Sequence, residues 1–281
     1  MRLKIVHVSE YRYSADVFLE PHYLRFKPKN TPWSRLESFE ITIQPEPAGL
    51  TEIFDQENNL IHLCWFEDLQ KSLTIEAHSE VVLQDYNPFN FIIYPEEFLT
   101  LPFEYPPNLK NILEPALETQ PISTTIIQYV EQIKKGSIGN IVDFIIELNR
   151  KISSDFTLES RETGAPHDPD TTFELQKGSC RDLTWFQIHI LRYYGIAARY
   201  VSGYYFLNAE EPEFELHAWT EAFIPGVGWM GFDPGHGLVA GASHLPVACS
   251  AYYNHTMPVT GFVRGDAKSK LKTEVSIHIV S

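Results

Sequence analysis

The chain has 281 residues, enough for two domains of ordinary size. Its 22 Lys and Arg residues against 37 Asp and Glu residues give a formal net charge of −15. Because a field of this sign repels phosphate, the sequence predicts neither a nucleic-acid partner nor binding to an anionic membrane. Apolar residues make up 43% of the chain and charged residues 21%. These fractions are close to globular averages, so we expect a folded chain.

The N-terminus and the cysteines indicate a reduced, cytoplasmic location. Residues 1–6 turn polar within a few positions, unlike the apolar core of a signal peptide. Apolar runs such as 144–146 fall far short of the ~20 residues that span a bilayer. Cys64, Cys180 and Cys249 cannot all pair, and their spacing matches no zinc knuckle or ribbon. We therefore predict a cytoplasmic protein with free thiols, one of which is reactive.

The first 85 residues have the pattern of short β-strands. Apolar and polar residues alternate over 3–8, 39–43 and 73–77. Residues 55–59 (Asp-Gln-Glu-Asn-Asn) form a turn signal between apolar flanks. Strands at this spacing predict an antiparallel β-sandwich without a catalytic grouping.

Residues 86–120 differ in composition from what precedes them, and we place a domain boundary there. Each proline removes a backbone donor and fixes φ, which favours an irregular connection. We predict an N-terminal domain over 1–105, including this connection, and a second domain over 106–281. The aromatic residues of the connection are expected to pack on the protein: Phe89, Phe91, Phe98 and Phe103.

The second domain begins with helical patterns. Apolar stripes over 122–133 and 141–152 predict two amphipathic helices. Thr171 and Glu174 have the capping-box spacing of one short helical turn. A stripe over 180–194 in which only Gln187 is polar predicts a buried helix.

Strands follow that helix and make the second domain α+β. Alternation predicts strands over 196–206, 217–224 and 229–233, and a last strand that contains Val275, Ile277 and Ile279. A helix followed by an antiparallel sheet is typical of an α+β fold.

The sequence places Cys180 at the first turn of the predicted buried helix. Unpaired backbone N–H groups and the positive end of the helix dipole lie there, and both favour a thiolate. The same N–H groups can hold the oxyanion of a tetrahedral intermediate. Gly178 leaves room for a substrate backbone beside the sulfur.

A predicted hairpin supplies a base and a carboxylate. If the chain turns at Pro225, His217 and Asp233 lie directly opposite each other, with Cβ atoms about 4.5–5.5 Å apart. A carboxylate in that position can orient the imidazole while the other ring nitrogen faces a nucleophile. A one-residue slip would place the two side chains on opposite faces of the sheet.

At these residues the chain resembles the transglutaminase-like superfamily, in its bacterial cysteine-peptidase-like branch with an N-terminal β-domain. The resemblance is carried by Gly178-Ser179-Cys180-Arg181-Asp182-Leu183, by the strand over 195–204, by His217-Ala218-Trp219 and by Trp229-Met230-Gly231-Phe232-Asp233-Pro234. It is specific over about 170–240 and weaker over the N-terminal strands. Residues 183–186 are bulkier than is usual in the family, which affects the expected pocket size.

The resemblance implies a transglutaminase-like or papain-like core of helices packed on an antiparallel sheet. It also implies Cys180 as nucleophile, His217 as base and Asp233 as orienting acid. The reaction would be acyl chemistry on a peptide or protein amide through a thioester, resolved by water or by an amine. An exposed site favours water, because water is present at about 55 M. The pair Asp168 and Asp170 is too sparse for a calcium loop, so we predict no metal and no cofactor.

Two alternatives remain open at this stage. The chain could be a non-catalytic peptide-binding module that keeps the fold, or Cys180, His217 and Asp233 could be zinc ligands. The other histidines of this half have simpler explanations: we expect His189 to pack inside the helix. His236 and His244 flank a Gly-rich loop that could border the cleft, and we favour a surface loop for both. The sequence does not predict the oligomeric state or the substrate.

Overall fold

The structure, a computed structural model, describes residues 1–136, 140–161, 164–207 and 213–280. Its secondary structure is mixed, with mostly antiparallel sheets, which confirms the predicted α+β class. Its strands are β1 (Arg2–Leu19), β2 (His22–Leu24), β3 (Ser34–Gln44), β4 (Gly49–Phe54), β5 (Leu60–Trp65), β6 (Leu69–Leu83), β7 (Thr157–Leu158), β8 (Lys177–Gly178), β9 (Ala198–Leu207), β10 (Glu213–Ile224), β11 (Gly228–Asp233), β12 (Leu238–Val239), β13 (His244–Ser250), β14 (Val259–Thr260), β15 (Val263–Arg264) and β16 (Ser269–Val280). Its α-helices are α1 (Pro107–Leu117), α2 (Thr124–Gly136), α3 (Ile141–Asp155), α4 (Pro169–Leu175) and α5 (Cys180–Tyr193).

The N-terminal strands form the predicted β-sandwich. One antiparallel sheet has the order β15-β1-β6-β3, and the other has the order β14-β2-β5-β4. Alternate residues of β6 are buried, as the period of two requires when one face of a sheet is covered. Side chains from both sheets, among them Leu24, Cys64 and Ile75, share one apolar core.

The last strand joins this N-terminal sheet and not the sheet of the second half. β16 pairs antiparallel with β1 from Arg2↔Val280 to Tyr13↔Ser269. Ile277 faces inward and packs in a cluster with Leu3 and Ile5. The strand itself was predicted correctly, and its partner is β1 rather than a strand of the second-half sheet, because alternation does not identify the partner strand. The boundary near residue 105 stays a prediction.

The sheet of the second half has the order β12-β11-β10-β9-β13. α5 packs against β9 and β10, and α3 packs against α5. Nearly every residue of α5 from Asp182 onward is buried, because the helix lies between the sheet and the other helices. Gly195 ends this region with a φ of +78°, the left-handed conformation that favours glycine after a helix. The predicted buried helix is therefore confirmed.

Two local predictions need correction. The segment over 86–120 contains α1, because Pro107 occupies the first helical turn, where a missing N–H costs nothing. Leu113 and Ala116 bury its apolar side against Ala197 and Ala251. α4 is capped by Asp168 rather than by Thr171, since the carboxylate of Asp168 accepts from the Thr171 N–H at 3.0 Å.

The aromatic residues of the 86–120 segment pack only in part. Phe98 is buried, and Phe91 and Phe103 pack against the core of the second half. Phe89, in contrast, is exposed. Within the described residues, no helix has the length and apolar character required to cross a membrane.

The burial of Ile277 predicts that β16 is essential for the stability of the N-terminal sheet. Ile277 is 3% exposed, whereas Ile279 on the same strand is 49% exposed. Replacing Ile277 by Ala should lower the free energy of unfolding by about 2–4 kcal/mol through lost burial and a residual cavity. Ile279→Ala is the matched control and should cost clearly less. Urea denaturation of both variants measures the difference, and equal losses would contradict the packing of β16 described above.

Candidate active site

The nucleophile turn is held by the carboxylate of Asp182, which is completely buried. Its Oδ2 accepts hydrogen bonds from the backbone N–H and the hydroxyl of Ser179, both at 2.7 Å. Ser179 is the N-cap of α5, so these bonds fix the chain immediately before Cys180. The half-buried Cys180 is therefore the first residue of α5, as predicted.

The same carboxylate ties a neighbouring loop to this turn. Oδ1 of Asp182 accepts from the guanidinium of Arg161 at 2.5 Å and from the backbone N–H of His167 at 2.7 Å. Burial alone would raise the pKa of Asp182, but these hydrogen bonds and the charge of Arg161 keep it below its usual value. A Cβ on Gly178 would lie 2.7 Å from Cβ of Asp182, so glycine there makes room for Asp182.

The hairpin of β10 and β11 has a register different from the predicted one. Thr220 lies opposite Phe232 and Ile224 opposite Gly228, so the turn is centred on Gly226 and not on Pro225. The cause is the three-residue turn over 225–227: Gly226 within it has a φ of +85°, and Gly228 directly after it has a φ of +88°. Direct opposition of His217 and Asp233 was therefore wrong.

The two side chains nevertheless meet. The ladder ends at Thr220 and Phe232, and one further step in the same register would place Asp233 opposite Trp219, two residues along β10 from His217. Residues two apart on a strand face the same side of a sheet, so the shift keeps both functional groups together. Nε2 of His217 lies 2.9 Å from Oδ2 of Asp233. The cleft side of the sheet thus contains the predicted base and carboxylate.

Asp233 is completely buried and accepts hydrogen bonds at both of its oxygens. Oδ1 accepts from the backbone N–H groups of Gly235 at 2.9 Å and His236 at 3.3 Å. Oδ2 faces Nε2 of His217 at 2.9 Å, Nδ1 of His236 at 2.8 Å and Nε2 of His244 at 3.1 Å. Because an ionised carboxylate only accepts, each of these ring nitrogens is the donor.

Asp233 and His217 carry opposite charges in this cluster. Burial lowers the pKa of His217, but the adjacent Asp233 carboxylate and the hydrogen bonds to the ring hold it well above 6.5. Burial raises the pKa of Asp233, but His217 and the other histidine donors hold it well below 3.8. For His244 burial prevails and lowers the pKa, so His244 is the neutral member. The result is an ion pair between Asp233 and His217.

The second ring nitrogen of His217 lies beside a surface carboxylate, and Cys180 acts on the same ring. The interaction with Cys180 is one of the causes that raise the pKa of His217. Since Nε2 is occupied by Asp233, Nδ1 is the nitrogen available to the thiol. Oε1 of Glu215 also lies 2.8 Å from Nδ1, without the alignment of a hydrogen bond. His217 therefore lies between the buried carboxylate of Asp233 and the partly exposed carboxylate of Glu215, and Cys180 raises its pKa.

The surface-loop expectation was wrong for His244, which lies in β13, whereas His236 lies in the turn after β11 with its side chain 21% exposed. His244 is completely buried, and the His236 ring stacks on Tyr205 with centroids 4.3 Å apart and an angle of 11°. Both histidines bond to Asp233, as described above. No spacing rule identifies their role. The one signal in the sequence was that His217, His236 and His244 fall within about thirty residues of chain. His189 is buried as expected, but neither of its ring nitrogens has a hydrogen-bond partner among the described residues.

The bulky residues after Asp182 belong to the core. Leu183, Thr184 and Phe186 are completely buried, and Trp185 is 8% exposed. Leu183, Trp185 and Phe186 belong to the core that α5 shares with α3 and β10. The expected effect of these residues on pocket size is therefore not supported.

The pattern of hydrogen bonds also bears on metal binding. Asp168 caps α4 and Asp170 accepts from the Ser123 N–H at 3.1 Å, so these two carboxylates have structural partners. Asp233 directs Oδ2 at three histidines, which is the role of an outer carboxylate and not that of a zinc ligand. Among the described residues, the group with ligand atoms within 4.8 Å of one another is Glu215, His217 and His236.

Comparisons with known proteins agree with this architecture. Residues 3–82 match the bacterial transglutaminase-like N-terminal region, and residues 127–234 match the transglutaminase-like superfamily core. The chain therefore belongs to the transglutaminase-like superfamily. Cys180, His217 and Asp233 all fall within the second match.

The chain is also similar to individual proteins over its whole length. An uncharacterised protein of Mycobacterium tuberculosis is 26% identical over 297 residues, covering 99% of this chain and 92% of the relative. A solved structure of a candidate cysteine protease from Cytophaga hutchinsonii covers 100% of this chain and 92% of its own, with a TM-score of 0.71 and 19% identity. That likeness shows the fold.

A shorter match is to a named enzyme. The protein-glutamine gamma-glutamyltransferase of Pseudomonas aeruginosa is 34% identical over 89 residues. The match covers 28% of this chain and 13% of that enzyme.

The Asp233–His217 ion pair predicts a characteristic pH dependence of stability. The lowered pKa of Asp233 gives stability that is present above pH 3.8 and lost as the pH falls through the folded-state value. The raised pKa of His217 gives stability that is present below pH 6.5 and lost as the pH rises through the folded-state value. The stability advantage of the wild type over Asp233→Asn should therefore be greatest between these two limits and shrink on both sides. Denaturation across pH measures it, and a difference independent of pH would contradict the ion pair.

The role of Asp182 is tested by removing its charge. Asp182→Asn leaves Arg161 without its buried partner and weakens the bonds to Ser179, so unfolding should become easier by about 2–4 kcal/mol. The rate of alkylation at Cys180 should fall as well, because the turn loses its anchor. Asp143→Asn is the matched control, since Asp143 occupies the same capping-box position in α3 on an exposed surface. Equal effects of the two substitutions on the thiol would show that Asp182 does not position Cys180.

Proposed function

We propose that this protein is an enzyme that performs acyl transfer from an amide through a thioester on Cys180. Of the two reactions that can resolve the thioester, we favour hydrolysis, which makes the protein a peptidase or amidase. The observation that carries the proposal is the buried pair of His217 and Asp233, 2.9 Å apart, together with Cys180 at the start of α5, which raises the pKa of the same imidazole. Nucleophile, base and orienting acid are the components that such a reaction needs.

In the first half-reaction, Cys180 reacts as a thiolate whose proton has passed to Nδ1 of His217, so that His217 is the imidazolium of the ion pair with Asp233. The sulfur attacks the amide carbon, a C–S bond forms, and the carbonyl oxygen becomes an oxyanion. The first N–H groups of α5 have no intrahelical partner and can hold that oxyanion. The proton on His217 then passes to the leaving nitrogen, the C–N bond breaks, and an amine departs.

In the second half-reaction, water enters beside the thioester. His217 accepts a proton from the water, whose oxygen attacks the thioester carbon. The C–S bond breaks, the thiolate is released and a carboxylic acid leaves. Asp233 stays ionised throughout and stabilises the imidazolium each time it forms. An amine in place of water would give a new amide, and this transamidation is the second candidate, favoured by the matched segment of the Pseudomonas aeruginosa enzyme.

The geometry favours an enzyme over a binding module. Asp233 is buried and held by five hydrogen bonds. A buried carboxylate and a charged imidazole carry a desolvation cost that a peptide-binding cleft has no need of. The zinc alternative built on Cys180, His217 and Asp233 is disfavoured, since Asp233 already receives three ring N–H groups. The substrate of the proposed enzyme is a peptide or protein amide. We propose a cytoplasmic location for the enzyme itself.

The proposal predicts selective reactivity of Cys180. Cys64 and Cys249 are buried, and burial raises the pKa of both, that of Cys64 to about 11. Iodoacetamide followed by mass spectrometry of peptides should therefore modify Cys180 first. His217→Ala should slow this modification by about 100-fold, in the range of a general base. His78→Ala is the matched control, because His78 lies on β6 beside a glutamate, in a part of the chain remote in sequence from Cys180.

The same protein should then form a covalent acyl-enzyme. Incubation with a peptide library, with Cys180→Ala as the blank, should give a mass increase on Cys180 that decays as the acid product appears. Equal alkylation of all three cysteines, or a rate unchanged by His217→Ala, would refute the proposed mechanism. An acyl-enzyme that decays only when an amine is added would select transamidation.

A further inference from the structure

Three side chains at the mouth of the site form a group that the proposed reaction does not require. Oε1 of Glu215 lies 2.8 Å from Nδ1 of His217. One ring nitrogen of His236 completes a group in which the three ligand atoms lie within 4.8 Å of one another. Glu215 is half exposed and His236 is 21% exposed at the side chain, so the group is open to solvent.

A separate observation indicates that this group suits a metal ion. Oδ2 of Asp233 accepts one ring N–H from His217 at 2.9 Å and one from His236 at 2.8 Å. Histidines that bind metals almost always donate their second ring N–H to a carboxylate or carbonyl, which fixes the ring and strengthens the ligand nitrogen. One buried carboxylate thus orients both rings and leaves the other nitrogen of each for a ligand.

The nitrogen of His217 that remains is itself unusual. His217 has no exposed side-chain surface, and Nδ1 lacks an aligned hydrogen-bond partner among the described residues. A buried polar atom of this kind is costly unless something binds it. The catalytic thiol uses it transiently, and a cation can use it in the resting protein.

We propose that Glu215, His217 and His236 bind a single zinc ion that switches the nucleophile off. Two imidazole nitrogens and one carboxylate oxygen suit zinc, whereas calcium and magnesium prefer oxygen ligands. Zinc is tetrahedral, so water takes the fourth position. The ion replaces the proton on Nδ1 of His217, and that proton passes to solvent.

The distances allow this coordination with small movements. Ligand atoms around a tetrahedral zinc lie about 3.2–3.6 Å apart, given bond lengths of about 2.0–2.2 Å. Glu215 and His217 are already closer than that. His236 and Glu215 are on partly exposed side chains, which can close on an ion without repacking the core. The rigid member of the group is His217.

A zinc ion bound to Nδ1 of His217 would stop the proposed reaction. This nitrogen holds the proton of Cys180 in the proposed reaction, so a bound zinc ion removes the acid and base of the site and stops formation of the thioester. Inhibition by zinc therefore rests on the proposed function, whereas binding of zinc does not. Zinc would act as a reversible inhibitor at the active site and not as a cofactor.

The test measures binding first and reactivity second, on the full chain. Binding of zinc to Cys180→Ser, followed by competition with a chromophoric chelator, should show one ion per chain. Glu215→Gln and His236→Asn, each added to Cys180→Ser, should weaken binding by at least about tenfold. Glu76→Gln is the matched control, because Glu76 and His78 form an exposed pair with the same Glu-x-His spacing, 2.7 Å apart. It should leave zinc binding unchanged.

The reactivity of Cys180 then distinguishes the zinc site from the proposed function. In protein with Cys180 intact, zinc should block alkylation of Cys180, and a chelator should restore it. Failure of Cys180→Ser to bind zinc would overturn the site, because the ion would then depend on the thiol alone. Binding that Glu215→Gln and His236→Asn leave unchanged would overturn it too. Site-specific binding in a protein that never forms an acyl-enzyme would keep the zinc site and refute the proposed function instead.

Discussion

The carboxylate of Asp233 is the constraint on which the site depends. A charge without solvent exposure is tolerated only if hydrogen bonds and an opposite charge surround it, and here two backbone N–H groups and three imidazoles do so. These bonds fix the loop after β11 and the ring of His217. A single buried charge therefore decides which nitrogen of His217 faces Cys180.

The rest of the fold brings the sulfur to that nitrogen. β10 and β11 carry His217 and Asp233 on one face of their sheet, and α5 packs across β9 and β10 with its first residue at the cleft. Asp182 is the counterpart of Asp233 on the helix side, since it holds the turn before Cys180 and the loop around His167. Two buried carboxylates thus position the two halves of the site. The arrangement that orients His217 for chemistry also orients His236, which explains why the same pocket suits a zinc ion.

Local patterns in the sequence predicted the parts of this site that depend on neighbours in the chain. The stripe of α5 and the alternation of β10 and β11 required no knowledge of distant contacts, and they placed Cys180, His217 and Asp233 near one another. The register was wrong because it depends on two glycines at positive φ, one in the turn and one directly after it. The bonds of His236 and His244 to Asp233 were missed because their partner is a buried charge. The partner of β16 was not predicted because alternation shows a buried face but not which strand lies beside it, and α1 was missed because prolines at its ends concealed a helix.

The most direct test of the central claim is the protonation state of the His217 ring in the resting protein. Long-range proton–nitrogen NMR on labelled protein, with His217 assigned by substitution, reports which ring nitrogens carry protons. The account predicts a protonated Nε2 whose proton is shifted downfield by Asp233 and protected from exchange, and whose signal is lost in Asp233→Asn. A His217 with Nε2 unprotonated, or with a signal that Asp233→Asn leaves unchanged, would contradict the account.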